Sequence, residues 1–123
     1  MSKEMPSSNK TLSAEFPRAQ AVELGSLVDY AEGSIVSRTL ADSDAGTITL
    51  FAFDAGQALS EHSAPFDALV VVLDGRAELT IAGEAISVGV GQAAAMPADV
   101  PHSVEASQRF KMLLTMLRVS GGK

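Results

Sequence analysis

From Ser34 onward the chain is written in short β segments cut by turn residues, with no stretch between them long enough for a crossover helix. Ser34–Leu40 carries β-branched residues and stops at the turn-rich run Ala41 to Gly46, and Thr47–Phe53, dense in Thr, Ile and Phe, stops at Asp54-Ala55-Gly56. Phe66–Leu73 runs into Asp74-Gly75, a dipeptide that predicts a hairpin when apolar runs flank it. Arg76, Glu78 and Thr80 then alternate with Ala77, Leu79 and Ile81, the pattern of a strand with one wet face. A turn at Ala82-Gly83-Glu84 leads to a second alternating run over Ile86–Val90, and Gln92–Met96 ends at Pro97. Phe110–Val119 sets Phe110, Met112, Leu114 and Met116 on one face and Lys111, Leu113, Thr115 and Leu117 on the other, which predicts cover on both sides. Parallel strands need connections of about a dozen residues. About seven to ten short strands without them predict an all-β antiparallel sandwich or barrel.

The part before Ser34 is different. Met1 to Phe16 has only Met5, Leu12 and Phe16 as large apolar groups, too few to order a segment by itself. We expect residues 1–17 to be an arm, mobile or exchanged in a dimer, residues 18–120 to form the barrel, and 121–123 to be a tail. Leu24, Leu27 and Val28 have helical spacing within a stretch broken by Gly25 and ended by Gly33, which predicts one or two helical turns.

With 123 residues the chain has room for one domain. It contains no cysteine, which excludes disulfides, thiolate metal clusters and thiol catalysis. A formal charge of -6 argues against nucleic acid and anionic membrane surfaces as partners, since both attract positive charge. Apolar runs such as Ala68–Leu73 fall far short of the about 20 residues of a membrane span. Met1–Phe16 lacks the apolar block of a signal peptide, so the expectation is a cytoplasmic protein.

Two segments carry more than periodicity. One runs from Gly56 through His62, Ala64 and Ala68 to Gly75; the other runs from Gly91 through Pro97 and Asp99 to His102 and Ala106. Their spacing resembles the two motifs of the cupin superfamily, small jelly-roll barrels: Gly, five residues, His-x-His, three or four residues, Glu, six residues, Gly; and Gly, five residues, Pro-x-Gly, two residues, His, three residues, Asn. Gly56, His62 and Gly75 fall in the first frame and Gly91, Pro97 and His102 in the second. The resemblance implies an antiparallel double-stranded β-helix, a cupin barrel of the RmlC-like kind. It also implies a site inside that barrel where three imidazoles and a carboxylate hold a transition metal. Here the second His position is Ala64, the Glu position is Ala68 and the Asn position is Ala106, so two of the four ligands remain.

His62 and His102 are accordingly the candidate metal ligands, able at most to hold a divalent ion weakly, because stable sites use three or four protein ligands. They are also the candidate catalytic pair. The plainer alternative makes them remnants of an ancestral site, hydrogen-bonded to backbone or water. Asp67 follows the wrong strand parity for the pocket if Ala68, Val70 and Val72 point inward. Glu61 reads as a solvated charge, and Asp99 as a turn residue that could instead orient His102. Ala64, Ala68, Phe51, Phe53, Met96 and Met112 are the candidate pocket-lining residues, an apolar wall suited to a small molecule. The expected function is a barrel pocket for a small molecule without evident turnover. The alternative is an enzyme, either a metal-dependent oxygenase or isomerase, or a metal-free acid–base isomerase using His62 and His102. A homodimer is expected, since open sheets leave edges that invite pairing.

Overall fold

The computed structural model describes residues 11–119. Eight strands follow one another: β1 Ile35–Ser43, β2 Gly46–Phe53, β3 Ala58–His62, β4 Phe66–Ile81, β5 Glu84–Gly89, β6 Ala93–Met96, β7 His102–Glu105 and β8 Phe110–Arg118. Every pairing is antiparallel, in the order β1-β2-β8-β4-β7-β3, with β5 and β6 also joined to β4. This is the all-β antiparallel architecture that the strand pattern predicts, and the single-domain jelly roll that the motif resemblance implies.

The predicted hairpin at Asp74-Gly75 does not form. β4 runs unbroken for 16 residues through that dipeptide. Its first half pairs with β6 and β8 in one layer, and its second half with β5 and β7 in the other. Both flanks of the dipeptide already have partners, so the chain bends between layers instead of folding back. The bend is a bulge: the β4–β8 register slips between Val72 and Asp74, and Gly75 takes a φ of +71°. Glycine is required there twice over, because a Cβ would sit 2.0 Å from the carbonyl oxygen of Arg109.

Between the layers lies a core of Phe53, Val70, Val72, Leu79, Phe110 and Met112, all essentially inaccessible. A second cluster covers the outer face of β1, β2 and β8, where Val28, Leu40, Leu50 and Ala52 are buried beneath Phe16, Leu24 and Leu27. The predicted helical turn is a single 3-10 turn, Leu24–Leu27. Leu12 bridges Ala41 at the edge of β1, so residues 11–17 lie along the sheet. Residues 1–10 and 120–123, most of the expected arm and all of the expected tail, lie outside the described residues. Cover on both sides of β8 is found for Leu113, which joins the second cluster, but Leu117 is 56% exposed.

One polar clamp holds the second cluster in place. The Tyr30 hydroxyl donates to Asp74, Lys111 and Arg109 stand 5.0 and 5.1 Å from the Tyr30 ring centroid, and Lys111 Nζ donates to the Gly25 carbonyl at 2.6 Å. Arg109 pairs with Asp54 at 2.8 Å. Partial burial, and then the Asp74 carboxylate, push the Tyr30 phenol well above the ordinary tyrosine range. Hydrogen bonds from Arg109 and from the Gly33 amide hold the Asp54 carboxyl below the usual carboxylate range.

Candidate functional site

β3 and β7 pair at one end of the barrel, and their register sets the site. Leu59 lies opposite Val104 and His62 opposite His102, so three steps along β3 match two along β7. Leu59 and His62 are an odd number of residues apart and would face opposite ways on a regular strand. The extra residue of this bulge turns His62 back to the side that Leu59 faces, a common use of bulges beside functional sites. The strand Ala58–His62 and its bulge escaped the sequence analysis, because a five-residue segment with one irregular step shows no clean alternation.

The two imidazoles, forty positions apart in sequence, meet with ring centroids 4.4 Å apart and planes at 67°. His102 is buried and His62 is open on one side. Each Nδ1 faces a backbone carbonyl two residues back: His62 Nδ1 to Ser60 O at 2.8 Å and His102 Nδ1 to Val100 O at 3.1 Å. A carbonyl only accepts, so each Nδ1 carries a proton and donates. Backbone carbonyls of this kind are also what orient imidazoles that act as ligands.

Beside the pair is a hollow of about 50 Å³. A buried water occupies about 10–15 Å³ on the same measure, so the space suits a few waters or a solute of a few non-hydrogen atoms. Ala64, Ala68, Met96 and Met112, four of the candidate lining residues, border it. Phe51 and Phe53 do not. Both lie in the core toward the far end, where Phe53 stacks on Phe110 at 4.5 Å and 14°; their place on β2 is opposite the start of β8, away from its Met116 end. Leu59, Phe66 and Val104 line the hollow without having been singled out, as do Leu114 and Met116 from the β8 stripe. Phe66 and Val104 follow inward parity on β4 and β7, a signal that becomes usable once the bend in β4 is known.

The remaining candidates point elsewhere. Asp67 is exposed and its Oδ1 accepts from the Ala98 amide at 2.9 Å, pinning the loop before β7. Asp99, in the left-handed region at φ +64°, donates its backbone NH to Ala64 O and leaves the orientation of His102 to Val100. Glu61 is exposed, as a solvated charge should be.

The register also fixes what surrounds the lost carboxylate position. Ala68 on β4 lies opposite Met96 on β6 and opposite Met116 on β8, so a row Met96–Ala68–Met116 crosses the sheet facing inward. All three methionines of residues 11–119 line the hollow, together with both histidines of the protein. Among the described residues no charged side chain does. Among the described residues no three His, Cys, Asp or Glu side chains converge. The four-ligand divalent centre that the sequence resemblance implies therefore does not fit these residues: two imidazoles in an apolar wall supply neither the ligand number nor the negative charge.

Comparison with known proteins agrees with the fold. A conserved protein of unknown function from Streptococcus pyogenes superposes with a TM-score of 0.85 at 34% identity, over 92% of this chain and 99% of that one. A cupin superfamily protein from Desulfitobacterium hafniense does so with a TM-score of 0.80 at 32% identity, over 89% and 97% of the two chains. A salicylate 1,2-dioxygenase from Pseudaminobacter salicylatoxidans shares the fold alone, at 16% identity and a TM-score of 0.63 over 70% of this chain and 26% of that one. No curated protein matches significantly. The sequence model of the cupin domain matches residues 49–116, more than half of the chain and the span that holds both histidines. With the fold, the motif frame and that match in agreement, the chain belongs to the cupin superfamily.

Proposed function

We propose that the barrel is a binding module for a small solute, held at the β3–β7 end without turnover. The observation that carries this reading is the pair of Nε2 lone pairs beside an otherwise apolar hollow of about 50 Å³. A ligand suited to it has a compact apolar body and one donor group, such as a hydroxyl or amine, that reaches the imidazoles. A saturation-transfer NMR screen of small alcohols, amines and acids tests it. The reading predicts hits that vanish in the His62→Ala/His102→Ala double variant; hits that survive that change, or none at all, contradict it.

A second reading has one observation in its favour. His62 is open to solvent and in edge contact with the buried His102, an arrangement through which a proton can pass between solvent and hollow. A metal-free acid–base isomerase would use it so, and would lose its turnover in the same double variant. We further propose a homodimer, supported by Leu69 and Leu117, which leave 45% and 56% of their surface exposed on the outer face of β4 and β8. Light scattering would then give twice 12.7 kDa, and a monomer mass at micromolar concentration would count against it.

A further inference from the structure

The inner face of β8 changes character along its length. Phe110 and Met112 are buried in the core, Leu114 and Met116 line the hollow, and two residues further, about 7 Å, the same face ends in Arg118. The register fixes that side. Arg118 lies opposite Phe66 on β4 as Met116 lies opposite Ala68, with no slip between the two pairs, so all four side chains share the inward face. Arg118 does not itself border the hollow, but both of its inward neighbours, Phe66 and Met116, do.

The guanidinium lies over the Phe66 ring, with Cζ 5.3 Å from the centroid, and its Nε donates to the Asp44 carbonyl in the β1–β2 hairpin at 2.7 Å. These two contacts hold the side chain at the rim. Among the described residues its Nη groups meet no acceptor and no carboxylate pairs with it. Asp67, next to Phe66 in sequence, has the opposite parity, and its carboxylate already accepts from the Ala98 amide.

A guanidinium presents a planar fork of N–H donors that matches a carboxylate. With Nε committed to Asp44, the Nη groups are the part left to recruit an acceptor from solution. The net charge of -6 repels anions from the molecule as a whole, so an anion that gains here gains at short range, at this rim. Around one small space there are thus a cation at the rim, apolar walls and an imidazole pair.

We propose that the occupant of the hollow is a short carboxylate with a hydroxyl or amine at its other end. Its carboxylate meets Arg118 at the rim, its apolar body lies between Phe66 and Met116, and its donor group reaches the imidazole pair. This rests on the reading of the barrel as a binding module and adds the anionic group of the ligand, with Arg118 as the residue that selects it.

The experiment uses full-length protein and two probes that share a body and a hydroxyl, γ-hydroxybutyrate and its neutral amide, titrated by NMR at low and at high salt. The carboxylate should bind at least about threefold more tightly than the amide, within the range of an exposed ion pair, and the preference should shrink as salt is raised. In Arg118→Gln the two affinities should become equal; Arg118→Lys, which keeps the charge without the fork, should retain part of the preference. In the natural protein the Arg118 Nε–H resonance should shift with the carboxylate and not with the amide. Equal affinity for the two probes, a preference untouched by Arg118→Gln, or a resonance that does not respond overturns the proposal. If Arg118→Gln does not fold, the resonance of the natural protein decides. Equal binding of both probes removes only the anionic group; binding of neither, together with an empty fragment screen, removes the binding site itself.

Discussion

The two ends of the barrel interior each hold a pair of rings at nearly the same separation. At one end Phe53 and Phe110 stack at 4.5 Å and 14°, fully buried; at the other His62 and His102 meet edge to face at 4.4 Å and 67°, one of them open to solvent. Along β8 the ends are six residues apart, Phe110 to Met116, or about 20 Å. At the phenylalanine end the ring contact removes apolar surface from water and seals the core. At the histidine end the Nδ1 atoms donate to carbonyls, and both rings border a space the side chains do not fill. At equal spacing the two pairs differ in their hydrogen bonds and in the unfilled volume beside them.

The sharpest way to break this comparison is to remove a ring at each end. Phe110→Ala should cost about 3–5 kcal/mol, the usual result for a buried aromatic, read from denaturant unfolding. His62→Ala, at an exposed position, should change stability by no more than about 0.5 kcal/mol while removing ligand binding. Equal losses at the two ends would erase the distinction. Next in size is the bend that carries β4 from one end to the other. Gly75→Ala puts a Cβ 2.0 Å from Arg109 O at φ +71° and should cost at least about 1–3 kcal/mol; a neutral change would mean that the bend is not strained as described.

The smallest effect concerns the clamp outside the barrel. Tyr30→Phe removes the hydrogen bond to Asp74 and should cost about 1 kcal/mol. Because the folded phenol is raised above its unfolded value, its contribution is fully present below the ordinary tyrosine pKa of about 10 and fades as the pH rises beyond it. The natural protein should therefore lose stability above that pH more steeply than Tyr30→Phe. Parallel unfolding curves for the two would contradict the clamp. The acid side has the opposite sign: Asp54, held below its ordinary value by Arg109, contributes above that value and loses its contribution as the pH falls through the folded one.

How far the sequence could be read varies with how regular each segment is. β2 and β8 alternate without interruption, and their parity correctly turns Met112 inward and places Leu114 and Met116 beside it. β4 misleads because Asp74-Gly75 is written like a turn; the local preference for φ above zero is real, but the partners on both flanks turn it into a bend. His62 and His102 could be placed together by their motif frame, whereas the bulge that aims His62 could not, since a two-against-one step appears only when both strands are seen. Phe51 and Phe53 have inward parity, but parity gives a face and not a height along the barrel, and theirs is the sealed end. The same limit hid Leu59, Phe66 and Val104.

The claim on which the site rests is that both imidazoles keep their Nε2 lone pairs toward one hollow because both Nδ1–H groups donate to carbonyls. Long-range 1H–15N correlation of the ring nitrogens, recorded with the rings neutral, tests it directly. The account predicts the Nδ1–H tautomer for both His62 and His102, with the two Nε2 signals shifting together when a ligand enters. An Nε2–H tautomer at either ring, or a ligand that moves only one of them, would contradict it.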